Sequence, residues 1–360
     1  MNNVTKLFLA IPAIACMASI AKCEDWPTFR GADRTSISNE TGIMTSWPSD
    51  GPELVWTAKG AGRGYASPAI AGGKVFTLGD NLSTKDDKDE YLICFDLASG
   101  DELWTTKTGE AWDRHKQVSW NGSRATPTVD GDLVYVISPF GKLFCAQVAD
   151  GSIVWQKDFK ADFGGKKKDS WGYGESPLID GEMLICTPGG SQSTVVALNK
   201  KTGEKIWNCS RPDDVGAGHS SVVISNVGGK KVYVQNTGMG PMGIDAATGE
   251  MLWDFYMKPP IAFIPTPIID GDYVFSVAGY GLGAALVKQV VQDDGSIGIE
   301  EIYGPKTSLG NKHGGVILID GKIYGGREDK SVVYCADMLS GEVIWEERGG
   351  GERSTSVISA

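Results

Sequence analysis

The chain has 360 residues, a formal net charge of −11, and 48 Gly beside 11 Trp. An acidic surface repels a phosphate backbone, so nucleic acid is excluded as a partner, and it offers no attraction to anionic lipid. So many Gly imply many tight turns where the backbone needs φ > 0, and no long apolar helix pattern competes, so the composition reads as all-β.

The first element in chain order is a targeting signal. Lys6 heads an apolar stretch over residues 7–20, interrupted by Pro12, and Ser19-Ile20-Ala21 offers small residues for cleavage after Ala21. The run is too short for a permanent transmembrane helix. Cys16 and Cys23 each end a stretch that could serve as a lipoprotein signal, although neither has favourable neighbours. The expectation is an exported protein of the periplasm or cell envelope, with lipid anchoring as the rival reading and no membrane span after signal removal.

From residue 54 the chain repeats itself. A small or acidic residue precedes Gly, and Trp follows four residues later: Gly100 with Trp104, Gly151 with Trp155, Gly203 with Trp207, Gly249 with Trp253, and Gly341 with Trp345. Gly295 keeps the turn but has Ile299 in the Trp place. The Gly-to-Gly steps are 51, 52, 46, 46 and 46 residues. Upstream of each turn, Ser67-Pro68, Thr126-Pro127, Ser176-Pro177, Ser220-Ser221 and Thr266-Pro267 open an apolar run that ends in a second Gly turn. Four short strands per repeat at this period define a blade of a β-propeller.

Six full repeats of four-stranded antiparallel blades are expected, with partial strands at the ends. Leu54-Val55-Trp56 reads as a lone outer strand, and residues 354–360 as the inner strand of a further blade, so the propeller reads as shortened. The domain plan is a signal over 1–21, a lead segment over 22–53 and the propeller over 54–360. Trp56, Trp104, Trp155, Trp207, Trp253 and Trp345 are assigned to packing between sheets, each indole N–H finding a backbone partner. Cys94, Cys145 and Cys335 share one repeat position, which suits small buried hydrophobes better than disulfides; Cys186 with Cys209 is the only pair considered.

The turn stretches Phe95-Asp96-Leu97-Ala98-Ser99-Gly100 and Ile244-Asp245-Ala246-Ala247-Thr248-Gly249, with their Trp, resemble the tryptophan-docking repeat of the pyrroloquinoline quinone (PQQ) propeller family. Trp26-Pro27-Thr28-Phe29-Arg30-Gly31 resembles the leader of exported members. The resemblance implies a propeller of the kind found in quinoprotein alcohol dehydrogenases and in the BamB-type outer-membrane assembly factors, which have seven or eight blades. It implies PQQ and Ca²⁺ only for the dehydrogenase branch, where two adjacent Cys are common. No Cys-Cys pair exists here. The expected function is therefore a non-catalytic BamB-like scaffold that needs no cofactor and binds other envelope proteins or a small ligand. The alternative is a PQQ-dependent alcohol or sugar dehydrogenase.

A ligand would meet the loops at one mouth of the central channel. Two places before each opening Ser or Thr stand Tyr65, Arg124, Gly174 (with Glu175 beside it), His219, Ile264, His313 and Arg353. Two of the three His fall at this one position. Tyr65, Arg124, Glu175, His219, His313 and Arg353 are thus the candidate ligand-binding ring; no catalytic residue and no metal site is assigned. A loop over residues 110–124 carries Trp112, His115, Trp120 and Asn121, as an interaction surface or as packing. Lys166-Lys167-Lys168 reads as a solvated run.

Overall fold

The described residues hold six four-stranded antiparallel sheets, each built from consecutive strands in chain order. The structure is a computed structural model and describes residues 24–80, 88–113, 120–327, 331–349 and 356–359. The expected signal, Cys16, Cys23, His115 and Arg353 lie outside the described residues. Blade 1 runs from Ala69–Ala71 to Glu102–Glu110, blade 2 from Thr128–Asp130 to Ile153–Asp158, and blade 3 from Leu178–Asp180 to Lys205–Cys209. Blade 4 runs from Val223–Val227 to Met251–Asp254, blade 5 from Ile268–Asp270 to Ile297–Lys306, and blade 6 from Ile317–Ile319 to Val343–Arg348. The β-propeller read from the repeats is the observed fold.

Blades 2 to 5 are each sandwiched between neighbours, so their middle strands bury both faces and their side chains do not alternate apolar with polar. Val134, Tyr135, Val136 and Ile137 of blade 2 are all fully buried. They belong to a core that extends into blade 1 through Phe76 and Leu92, and into blade 3 through Leu184 and Val196.

The turn before each outer strand is built by its own side chain. In blade 1 the Asp96 carboxylate accepts from the N–H groups of Ala98 and Ser99, and Gly100 donates back to the Asp96 carbonyl. Asn199, Asp245 and Asp337 cap the same turn in blades 3, 4 and 6. Gly closes it at φ near +75°, where a Cβ is strained. The indole of the preceding blade then lies on that Gly. Trp56, Trp104, Trp155 and Trp207 donate to the carbonyls of Leu97, Val148, Lys200 and Ala246, each three residues before the turn Gly.

Opposite each Trp within its own sheet stands a small residue: Cys94, Cys145, Ala197, Gly243 or Cys335. A register shift follows it in every case. At Gly243 an added Cβ would come within 2.2 Å of the Trp253 ring, so bulk is excluded there. This accounts for Cys94, Cys145 and Cys335 at one repeat position; they are free and buried, as are Cys186 and Cys209, which form no disulfide.

Three expectations need correction. Leu54-Val55-Trp56 forms no strand, and Leu54 and Val55 are exposed, although Trp56 docks on blade 1 as an outer-strand Trp would. Trp253 donates to the Gln289 side chain rather than a backbone carbonyl, because the blade 5 hairpin is longer; there Tyr303, not Ile299, reaches the Met338 carbonyl of blade 6. Trp345 keeps the sequence position of the others yet is 46% exposed, against 8% for Trp207.

Candidate functional site

The channel is where the blades converge, and the inner strands line it. Their opening Ser and Thr side chains hydrogen-bond from blade to blade: Thr126 N to Ser176 Oγ at 3.2 Å, Ser176 N to Ser221 Oγ at 3.0 Å, and Ser221 N to Thr266 Oγ1 at 3.3 Å. The Ser/Thr-Pro marks of the repeat are therefore a relay around the channel.

The lead segment lies across one end of that channel and leaves a cavity of about 440 Å³ between residues 32–35 and the inner strands of blades 3 to 6. Trp26 pairs with Ile70 of blade 1 in both directions, and the Pro27 carbonyl accepts from Val129 of blade 2. Arg34 then crosses to blades 3 and 4, donating to the carbonyls of Ser176 at 3.0 Å, Val222 at 3.1 Å, and Pro177. Arg30 reaches the Val316 carbonyl at the start of blade 6. Both guanidinium groups are buried, and burial lowers their pKa to about 10 while leaving them charged at neutral pH. The segment turns through φ of +68° at Arg30, +56° at Arg34 and +61° at Ser36, conformations that L side chains enter only when their surroundings compensate. Beyond it, Ser38 donates to Ser359, and Ser359 to Ser36, so the two ends of the described chain meet beside the channel.

Glu175 stands close to Arg34. It is buried and accepts from Thr187 N at 2.7 Å and Thr187 Oγ1 at 2.9 Å. Desolvation pushes its pKa up to about 8 against the opposing pull of these bonds and of Arg34. Glu90 in blade 1 is likewise buried, held by Thr108 Oγ1 at 3.0 Å, and desolvation raises it to about 8.

The opposite mouth carries the expected ring, but the residues divide into two groups. Trp120 lies across it, 38% exposed at φ +82°, with its ring stacked on His313 at 5.7 Å and tilted against Tyr65 at 5.8 Å. Its backbone N–H donates to Tyr65 Oη at 3.2 Å, and its carbonyl accepts from Arg124. Tyr65, Trp120, His313 and Arg124 thus form one connected patch from blades 1, 2 and 6.

His219 adjoins that patch, facing Arg124 across Gly174, but its ring is held from the other side; Glu175 is buried. His219 Nε2 meets the Asp169 carboxylate at 3.1 Å, and Lys167 Nζ meets the same carboxylate at 3.1 Å while donating to the carbonyls of Ala217 and Gly218. Burial lowers His219 to about 4 and Lys167 to about 8, so His219 is neutral at pH 7. Burial acts to raise Asp169, but the hydrogen bond from His219 and the charge of Lys167 outweigh it and hold the carboxyl well below its usual range. The cluster fastens the connection between blades 2 and 3 to blade 4. The solvated reading of the Lys run is therefore wrong for Lys167: two carbonyls and a carboxylate complete its shell. Sequence spacing did not reveal Asp169, Arg30 or Arg34 as partners in the channel; the pairs of basic residues in short polar stretches were the available signal.

The loop residues also separate. Trp112 is buried against Phe140 at 4.9 Å with Arg124 over its ring, and Asn121 donates to Asp113 at 2.7 Å. These two pack the loop, and Trp120 alone of the described loop aromatics faces solvent.

The carboxylates near the channel are engaged, Glu175 by Thr187 and Asp169 by Lys167 and His219, and Arg30 and Arg34 bond inner-strand carbonyls. Among the described residues no three or more His, Cys, Asp or Glu come together as a metal-binding group.

Docked indoles, bulged outer hairpins and a Ser/Thr relay together define a PQQ-type repeat propeller. The chain belongs to the family described as outer membrane protein assembly factor BamB, whose profile matches residues 88–347. It is 26% identical to outer membrane protein assembly factor BamB of Burkholderia pseudomallei (strain K96243), the match covering 97% of this chain and 98% of that protein. A quinohemoprotein alcohol dehydrogenase of Pseudomonas putida is 26% identical over 160 residues, 42% of this chain and 22% of the enzyme. The crystal structure of BamB from Moraxella catarrhalis shares the fold, with a TM-score of 0.51 at 17% identity over 78% of this chain and 75% of that one. No helix among the described residues is long and apolar enough to cross a membrane.

Proposed function

We propose that this chain is an exported, non-catalytic propeller of the cell envelope that binds other envelope proteins through the mouth bearing Trp120, and that it works without a cofactor. The observation that carries this reading is the exposed aromatic rim of one mouth, where Trp120 packs between Tyr65 and His313 and its carbonyl accepts from Arg124. At the other end Arg30 and Arg34 bond inner-strand carbonyls beside a cavity of about 440 Å³. A protein partner needs only the exposed rim. Large aromatics beside an Arg are the residue types that dominate protein interfaces. The relatives are outer membrane protein assembly factors, which supports the same class of partner.

The test is affinity capture of the full chain from envelope extracts. Co-elution of β-barrel assembly components, weakened in Trp120→Ala and Tyr65→Ala, is the expected outcome. Incubation with PQQ and Ca²⁺ addresses the dehydrogenase alternative: saturable dye reduction with alcohols or sugars overturns the reading.

A further inference from the structure

We infer that the cavity between the lead segment and the inner strands of blades 3 to 6 binds a small monocarboxylate with an apolar body. This site lies at the end of the channel away from Trp120 and stands independently of the partner proposed for that mouth.

Two buried cations meet here without an anion. Arg30 donates to the carbonyls of Arg34 and Thr35, both at 3.1 Å, and to that of Val316. Arg34 donates to the carbonyls of Ser176, Pro177 and Val222 and, at 3.4 Å, to the Thr28 hydroxyl. Each Arg is 5% exposed, and among the described residues no carboxylate hydrogen-bonds to either. Glu175 is the one carboxyl that acts on Arg34 through space, and burial keeps it largely neutral at pH 7. A charge withdrawn from water is costly until an opposite charge or a full set of hydrogen bonds meets it. The set around Arg34 is incomplete, because its Nε is buried with no hydrogen-bond partner. Arg34 also lines the cavity, so the spare positive donor and the space for an acceptor occur together.

The walls define the rest of the ligand. A volume of about 440 Å³ falls in the range of small-molecule sites. Leu178, Ile224, Ile269 and Leu318 supply aliphatic walls, so the body that fits is apolar. Asp33 and Thr35 line it from the lead segment and are exposed. The Asp33 carboxylate repels a second negative charge, which restricts the ligand to a monoanion. A neighbouring cavity of about 420 Å³ also touches Arg34, but Asp130 and Glu182 line it, and Lys200 there is already paired with Asp130 at 2.6 Å. An anion is therefore favoured in the first cavity and disfavoured in the second.

The probes are isovalerate and benzoate, titrated into the full-length protein by calorimetry beside their neutral counterparts isovaleramide and benzamide. Both acids should bind at one molecule per chain, and the amides at least about tenfold more weakly, because they lack the charge that Arg34 receives. Arg34→Met should erase the preference for acid over amide. Asn226→Trp covers the case in which that variant fails to fold. Asn226 is an exposed cavity-lining residue on the same strand face as Ile224, away from the Val223 and Val227 packing of blade 4. The added ring should occupy the cavity, leave the melting temperature near that of the parent chain, and weaken both acids by about tenfold or more. Absence of binding by both acids, equal binding of acids and amides, or unchanged binding in Asn226→Trp overturns the inference.

Discussion

Trp155 lies face-on against Gly203, its Nε1 donating to the Lys200 carbonyl at 3.0 Å, and a Cβ at Gly203 would fall 2.8 Å from the ring. Gly203 serves here twice, by adopting φ +71° and by leaving room for the indole. Gly203→Ala should therefore cost about 1–2 kcal/mol for the left-handed backbone and roughly as much again for the displaced ring. Gly271→Ala is the matched control, since φ is +55° but nothing lies within 4 Å. It should lose only the backbone share. Denaturant midpoints of the two variants measure the difference, and equal losses would mean that the docking contact contributes nothing.

The lead segment invites a second comparison. Arg34 donates to the carbonyls of Ser176, Pro177 and Val222 and to the Thr28 hydroxyl, all on buried residues. Arg34→Met keeps the length of the side chain and removes the donors. A loss of about 3 kcal/mol is expected, the range found when one side of a buried charged network is deleted. Exchange of the Trp26 and Ile70 amides should quicken in the same variant, because their bridge depends on the seated segment. An unchanged midpoint would show that the lead segment does not stabilise the channel.

The pairing of Trp with Gly was legible in the sequence because both belong to one local turn whose spacing recurs. So was the small residue facing each Trp, which appeared as Cys at a single repeat position. The plug was not legible. Arg34 meets partners 142 and 188 residues away, and Arg30 one 286 residues away. Their positive φ values run against the local preference of a non-Gly residue, so no propensity announces them. The ring at the mouth was half legible: repeat alignment placed Tyr65, Arg124 and His313 together, but it could not show that Trp120, from an insertion, joins them. The same alignment grouped His219 and Glu175 with the ring; His219 does adjoin Arg124 across Gly174, whereas Glu175 is buried on Thr187.

Glu175 and Glu90 give the protein a pH dependence opposite to that of ordinary carboxylates. Each has a folded pKa raised to about 8 by burial, so the folded state holds a proton that the unfolded state has already released. Stability is full below the unfolded pKa and falls as pH rises toward 8, by up to about 1.4 kcal/mol per pH unit for each carboxyl. His219 acts in the other direction but lower, since its folded pKa of about 4 means that stability rises from there to the unfolded value of 6.5. Above pH 6.5 the carboxyls therefore dominate. Glu175→Gln and Glu90→Gln should each flatten the decline between pH 6.5 and 8 in thermal unfolding curves. An unchanged slope in both variants would remove these groups as its source.

Trp120 poses the sharpest separation of stability from binding. At φ +82° the residue is strained, and its ring returns part of that cost by stacking on His313 and Tyr65 while remaining 38% exposed. Trp120→Gly relieves the backbone and gives up the stack, two effects of about 1 kcal/mol each and of opposite sign. The melting temperature should therefore shift little. Capture of envelope partners should nonetheless fall, because the exposed ring is what a partner would bury. Trp112→Gly provides the contrast, since Trp112 is buried against Phe140 beneath Arg124 and its loss should lower stability by about 3 kcal/mol or more. If Trp120→Gly melts early and still binds, the ring is a structural lid and the partner docks elsewhere.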